Sequence, residues 1–249
     1  MLPIRDVNPT RIRPLITWSL IAASVLVYLA VQPASGTYEE VEFLYEQAAI
    51  ACELTTGDPL DVVEAETMHC LEGGPGEQWF PGKNVWISVG VSMFLHGGLA
   101  HLLFNMWSLW IFGNNVEEAY GPLGFVVLYG ATGIAATAAF VWANPDSTVP
   151  LIGASGAIAG VMGAYLVLFP RHLVMTLVFF RVVALPSILF LGLWLASQFL
   201  LVDEASGIAW EAHVAGFVAG ALITLPLRRR LLGNTLNPDP QPREKTFRS

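Results

Sequence analysis

The chain has 249 residues, 54% of them hydrophobic and only 13% charged, and its mean hydropathy is +0.57. Soluble domains carry roughly 25% charged residues, so this composition excludes an ordinary water-soluble globule and points to an all-α protein that crosses a membrane several times. The net charge of −8 says little about partners, because eleven of the twenty acids lie between Glu39 and Glu77. With no basic face, nucleic acid is excluded as a partner.

Six apolar runs follow one another at 14–31, 98–113, 121–142, 150–169, 185–201 and 207–227. The first already has full transmembrane length, so residues 1–13 read as a polar tail rather than a cleavable signal. Arg5, Arg11 and Arg13 precede the first run, and Arg228-Arg229-Arg230 close the last. Basic clusters mark the cytoplasmic side. Both termini are therefore expected in the cytoplasm, with an even number of spans between them. Arg171 falls in the cytoplasmic turn after the fourth run, and Lys83 is the only base in the segments assigned outside. The connector 114–120 carries Glu117 and Glu118 without a base and is neutral on the question. The plan is a cytoplasmic tail over 1–13, a membrane domain over 14–227 and a disordered cytoplasmic tail over 228–249, where Pro238, Pro240 and Pro242 cluster.

The outer loop, 32–97, is too long to be a mere connector. Thr37-x-x-Glu40 is a capping-box pattern, followed by Val41, Leu44, Tyr45 and Ala48 at helical spacing against Glu39, Glu42 and Glu46. This predicts a helix lying in the membrane interface. Both cysteines, Cys52 and Cys70, sit in this loop; in an oxidising compartment they are candidates for a disulfide, and otherwise they are structural thiols. Residues 86–95 are apolar, but Gly97-Gly98 breaks any helix. The segment is expected to be loop dipping into the protein, as backbone at that depth must be buried or line a wet cavity.

Polar groups inside apolar runs are the default functional candidates, and five stand out: His96, His101, Asn105, Ser155 and His213, with Arg181 near the edge of a run. Ser155 lies between glycines at the head of the fourth run, about 7 Å below the outer surface at helical rise. The same rise puts His213 about 9 Å down, and His101 and Asn105 roughly 5 and 10 Å down. His101 and Asn105 are four residues apart and share a helix face. A stripe of Gly156, Gly160 and Gly163 follows the serine, and His213, Gly216 and Gly220 share a face of the last run. Small stripes let membrane helices approach closely. The approach would bring the Ser155 hydroxyl within reach of the His213 ring, the requirement for an activated serine nucleophile. Helix packing alone is the bland account of Gly-x-Ser-Gly.

The set Gly153-Ala154-Ser155-Gly156, His96-x4-His101-x3-Asn105 and Ala212-His213-x2-Gly216-x3-Gly220, in that order, resembles the rhomboid intramembrane serine proteases. The resemblance covers nearly the whole membrane region, 14–227. It implies a six-transmembrane-helix bundle with a long outer loop after the first helix, and a Ser–His dyad in a wet cavity open to the outer side. It implies Ser155 as nucleophile, His213 as general base and then acid, and His101 and Asn105 as oxyanion-stabilising groups. His96, Gly153, Gly156, Gly216 and Gly220 take structural or supporting places. Two positions depart from the pattern. The first outer loop reads Trp86-Ile87-Ser88, without the arginine often found beside that tryptophan, and Ala159 stands where an aromatic often packs on the histidine.

The chief competing reading is an inactive relative serving as a chaperone or trafficking factor; such relatives usually lack the Ser or the His, and this chain has both. A proton-conducting transporter would need inverted repeats and broken helices in matching halves. A zinc protease would need His-Glu-x-x-His, and an aspartyl protease two membrane aspartates; the sequence offers neither. The expected activity is hydrolysis of a peptide bond in or near a transmembrane segment of another protein, without cofactor or metal. Its partners are then transmembrane substrates and the lipid bilayer, and its place the cell membrane of a bacterium. The sequence specifies no oligomeric state.

Overall fold

The computed structural model describes residues 1–71, 76–200 and 209–235. The tail expected to be disordered falls mostly at 236–249, and the junction of the last two apolar runs at 201–208; both lie outside the described residues. The fold is mostly helical. Helix α1 (Leu15–Ala30) is followed, in the segment 32–97, by α2 (Tyr38–Gln47), α3 (Ala51–Thr56), α4 (Val62–Thr67) and α5 (Val85–Ser92). Then come α6 (Leu99–Ala143), α7 (Ser155–Leu168), α8 (Ser187–Leu200) and α9 (Trp210–Leu232). Among the described residues, α6 and α9 are long and apolar enough to cross a membrane, while α1, α7 and α8 are shorter apolar helices.

Helix α6 has 45 residues. At about 1.5 Å per residue it would measure more than twice a hydrocarbon core of about 30 Å. It is interrupted at Gly121, whose φ of 71° and ψ of 166° are not helical, just before Pro122. The expected connector 114–120 is therefore helix up to this break, a correction with a clear cause. Glu117 is fully buried and accepts hydrogen bonds from Ile16 N–H (3.0 Å), Thr17 N–H (2.8 Å) and the Thr17 hydroxyl (2.8 Å). It thus caps the start of α1, where Pro14 offers no side-chain cap. The two acids serve structure: Glu118 binds Arg11 in the same way, at 3.1 Å.

The segment 86–95 is also corrected in part, since 86–92 is helix while 93–95 is turn and loop. Asn84 accepts from the N–H groups of Trp86 and Ile87, and this cap starts the eight-residue α5 before Gly97-Gly98 ends the apolar run. In the same segment, Thr37 caps α2 by accepting from Glu40 N–H, and Asp61 with Glu64 forms a reciprocal capping box on α4. Cys52 and Cys70 are joined by a disulfide across 18 residues. Beneath it Lys83 and Glu53 form an ion pair at 2.6 Å with both side chains almost wholly buried. Burial pushes the Glu53 carboxyl up and the Lys83 ammonium down, and each partner opposes the other's shift.

The strands have no counterpart in the sequence reading. At one end of the bundle β1 (Leu2–Asp6), β4 (Leu173–Val178) and β5 (Arg181–Pro186) form an antiparallel sheet in the order β1-β4-β5. Asp6, at the end of β1, reaches inward to accept from Asn115 Nδ2 (2.7 Å) and the Tyr165 hydroxyl (3.0 Å). Burial pushes its carboxyl up to about 7, against the lowering effect of the Tyr165 hydrogen bond. At the other end β2 (Ala49–Ile50) pairs with β3 (Pro150–Leu151) and ties the segment after α1 to the chain just ahead of Ser155. The core between the ends is aromatic: Phe112 meets Tyr165 edge-on at 5.1 Å, and Tyr165 meets Phe169 at 5.2 Å.

Candidate active site

The site begins with a turn. After β3, Gly153 takes φ +115°, a conformation that excludes ordinary side chains. Its N–H donates to Ser92 O at 2.9 Å, while the Ser92 hydroxyl accepts from Ala49 N–H at 2.6 Å. One serine on α5 therefore fixes both β2 and the turn. A side chain at Gly153 would come within 2.8 Å of the His101 ring, so the glycine makes room for that ring to lie over the turn. Ser155 then starts α7 at its N-terminus, where unpaired N–H groups and the positive end of the dipole gather.

The partner ring arrives through backbone contact. A Cβ on Gly216 would overlap the Gly156 carbonyl oxygen, and one on Gly220 would overlap that of Gly160. In the opposite direction, a Cβ on Gly163 would overlap the Phe217 carbonyl oxygen. The two helices α7 and α9 thus meet backbone on backbone, as small-residue stripes permit. In consequence His213 Nε2 lies 2.8 Å from Ser155 Oγ. Both face a cavity of about 920 Å³, whose wall also includes His101, Asn105, Phe104 and Trp210.

His101 Nδ1 accepts from Gly97 N–H at 3.4 Å, which leaves the ring proton on Nε2, the atom turned toward Gly153. Asn105 is one turn further along α6; its Nδ2 donates to His101 O at 2.9 Å. His96 stands apart from the cavity. It is fully buried, its ring packs edge-on to His101 at 5.2 Å, and its backbone is gripped on both sides by the Gln32 amide at 3.0 Å. Cys52 and Cys70 lie between α1 and α5, and neither lines the cavity. Two residues on α8 complete the surroundings of His213 and were not singled out from the sequence. Gln198 Oε1 is 2.8 Å from Nδ1, and the Trp194 ring centre is 6.2 Å from that of the histidine.

A family model for the rhomboid domain matches residues 83–230, more than half of the chain. This chain belongs to the rhomboid family. Rhomboid protease GluP of Bacillus subtilis is 34% identical over 158 residues, covering 61% of this chain and 29% of the relative. Rhomboid protein 1, mitochondrial, of Saccharomyces cerevisiae is 32% identical over 147 residues, covering 55% and 40%. RHOMBOID-like protein 5 of Arabidopsis thaliana is 29% identical over 167 residues, covering 66% and 48%. The match spans less than half the length of each of these relatives. Like the rest of the family, this rhomboid is an integral membrane protein.

The matched segment starts at Lys83 and takes in α5 to α9, hence every residue of the cavity named above. In this rhomboid the two departures from the family pattern have local explanations. Ser88 is buried and its hydroxyl donates to Val85 O at 2.7 Å, inside the first turn of α5. Ala159 is fully buried, and the aromatic face beside the histidine comes from Trp194 on α8 instead.

Proposed function

We propose that this rhomboid is an intramembrane serine endopeptidase that hydrolyses peptide bonds in or near transmembrane segments of other membrane proteins. The single observation that supports the reading is the 2.8 Å contact between Ser155 Oγ and His213 Nε2 on the wall of the cavity. At that distance the imidazole takes the hydroxyl proton as Oγ attacks the scissile carbonyl carbon. The carbonyl oxygen, now negative, is met by the His101 Nε2–H, the Asn105 amide and the Ser155 N–H. Collapse breaks the C–N bond, and the proton held on Nε2 passes to the leaving amine. Water, activated by the same nitrogen, then releases the acyl group from Oγ. The steps draw on side chains and water, without metal or cofactor.

The membrane arrangement follows the same reading. Six spans correspond to α1, the two parts of α6 on either side of Gly121, α7, α8 and α9. Arginines at both ends put the termini in the cytoplasm. The cavity, β2–β3 and the disulfide then face the outer side, where an oxidising compartment favours the Cys52–Cys70 bond. The reading places the protein in a bacterial cell membrane. A substrate helix must unwind locally before cleavage, since its carbonyls are otherwise held in hydrogen bonds.

The test uses purified chain in detergent micelles with a fluorescently labelled transmembrane peptide, compared with Ser155→Ala. Wild-type cleavage should fall by more than about 10⁴-fold in the variant. Asn105→Ala should lose about 10²–10³-fold. Equal cleavage by wild type and Ser155→Ala, or none by either, removes the assignment.

A further inference from the structure

The His213 ring has two nitrogens, and the proposed chemistry constrains both. Nε2 must be bare to accept the serine proton, so the ring N–H must sit on Nδ1. The group facing Nδ1 is the side-chain amide of Gln198, whose Oε1 is 2.8 Å away. An amide has a donor end and an acceptor end, and its neighbours decide which faces the ring. Here the NH₂ end has acceptors on its own helix: Trp194 O and Ser197 Oγ, each 3.3 Å from Nε2. Ser197 Oγ is itself committed as a donor to Trp194 O at 2.6 Å, so toward Gln198 it can only accept. The oxygen end therefore faces the histidine and accepts the Nδ1 proton.

We propose that Gln198 is a positioning residue of the active site, one that selects the Nδ1–H tautomer of His213 and holds its Nε2 toward Ser155. This rests on the proteolytic reading and adds a third member to the dyad. Trp194, one turn back on the same face of α8, packs beside the ring and limits its rotation. A neutral amide suits the setting. A carboxylate could do the same work, but an anion there carries a desolvation cost that an amide avoids.

The experiment compares wild type, Gln198→Leu and Gln198→Glu as full-length chains in micelles. Readouts are peptide cleavage, labelling of Ser155 by a fluorophosphonate, ring ¹⁵N spectra and thermal unfolding. Gln198→Leu should lower kcat by about 10- to 100-fold with KM unchanged, less than the roughly 10⁴-fold lost when a charged triad member is removed. Its ring ¹⁵N spectrum should show mixed tautomers where wild type shows Nδ1–H alone. Gln198→Glu should recover most of that kcat and shift the acidic limb of the kcat/KM profile upward by at least about one pH unit, because a carboxylate stabilises the imidazolium. Among the described residues the other titratable groups on the cavity wall are His101 and Glu211; the Gln198 variants leave both in place, so the shift reports His213. If wild type cleaves and is labelled at Ser155 while both variants keep its kcat, pH limb and tautomer, the positioning role is overturned and the dyad stands. A fall in melting temperature with an unmoved limb also overturns it. If wild type neither cleaves nor is labelled, it is the proteolytic reading that fails.

Discussion

His213 is held from two sides, and the two are built from different material. Toward α7 the contact is main chain on main chain, with Gly216 and Gly220 lying on the Gly156 and Gly160 carbonyls. Toward α8 it is side chain on ring, through Gln198 and Trp194, on a helix where only Ser187, Phe190 and Leu191 are buried. The first side sets how far the ring is from Ser155 and the second sets how it is turned. Interiors at close packing resist small displacements, so the distance is robust while the orientation depends on two side chains.

The sharpest way to break this comparison is Gly216→Ala. Its Cβ meets a carbonyl oxygen that cannot yield without moving α7, and a displacement of about 1 Å at reacting atoms costs about 10² in rate. We expect a loss of at least about 100-fold in kcat/KM together with a lower melting temperature, both measured in the same micelles. Trp194→Ala acts on the other side. It should cost about 10-fold in kcat, the scale of one aromatic contact converted to rate, with little change in melting. Equal losses from the two variants would dissolve the distinction.

A third region sharpens it from outside. Replacing the disulfide by Cys52→Ser with Cys70→Ser should cost the outer loop about 3 kcal/mol, seen as faster limited proteolysis between 48 and 83. Because neither cysteine lines the cavity, kcat should change by no more than a few fold. The smallest effect is expected at Asp6. Its carboxyl is raised from 3.8 to about 7 in the fold, so the folded state binds the proton more tightly than the unfolded chain. Stability from this group is full below about pH 4, declines as pH rises toward 7, and is level above. Asp6→Asn keeps both hydrogen bonds and should flatten that part of the melting-temperature curve. An unchanged slope would sink the assignment.

The residues that meet in the cavity were legible because the signal is local: His101, Asn105, Ser155 and His213 are polar interruptions of apolar runs. The α7–α9 contact was legible too, since glycines at helical spacing have few other uses in a membrane. Gln198 carried the same signal, a polar side chain in the fifth run, and a uniform reading of that rule would have found it. Glu117 was hidden differently, because its burial depends on a continuous helix through 114–120 whose partner, α1, lies 100 residues away. The sheet was the least visible. β1 pairs with β4 across about 170 residues, and the hairpin turn is made by Phe179 at φ 52° and Phe180 rather than by glycine. The Asn84 cap that starts α5 was passed over because Gly97-Gly98 is the louder mark.

Three carbonyl–glycine contacts make α7 and α9 meet through main chain rather than through side chains that could be trimmed or enlarged. On the proteolytic reading, selection or an engineer wishing to alter which sequences are cut finds no adjustable part in those glycine contacts. Variation that preserves the reaction is expected instead at other side chains of the cavity wall, such as Phe104 on α6 and Trp210 on α9. Divergence between paralogues should then be frozen along one line through the bundle and free a few ångströms away.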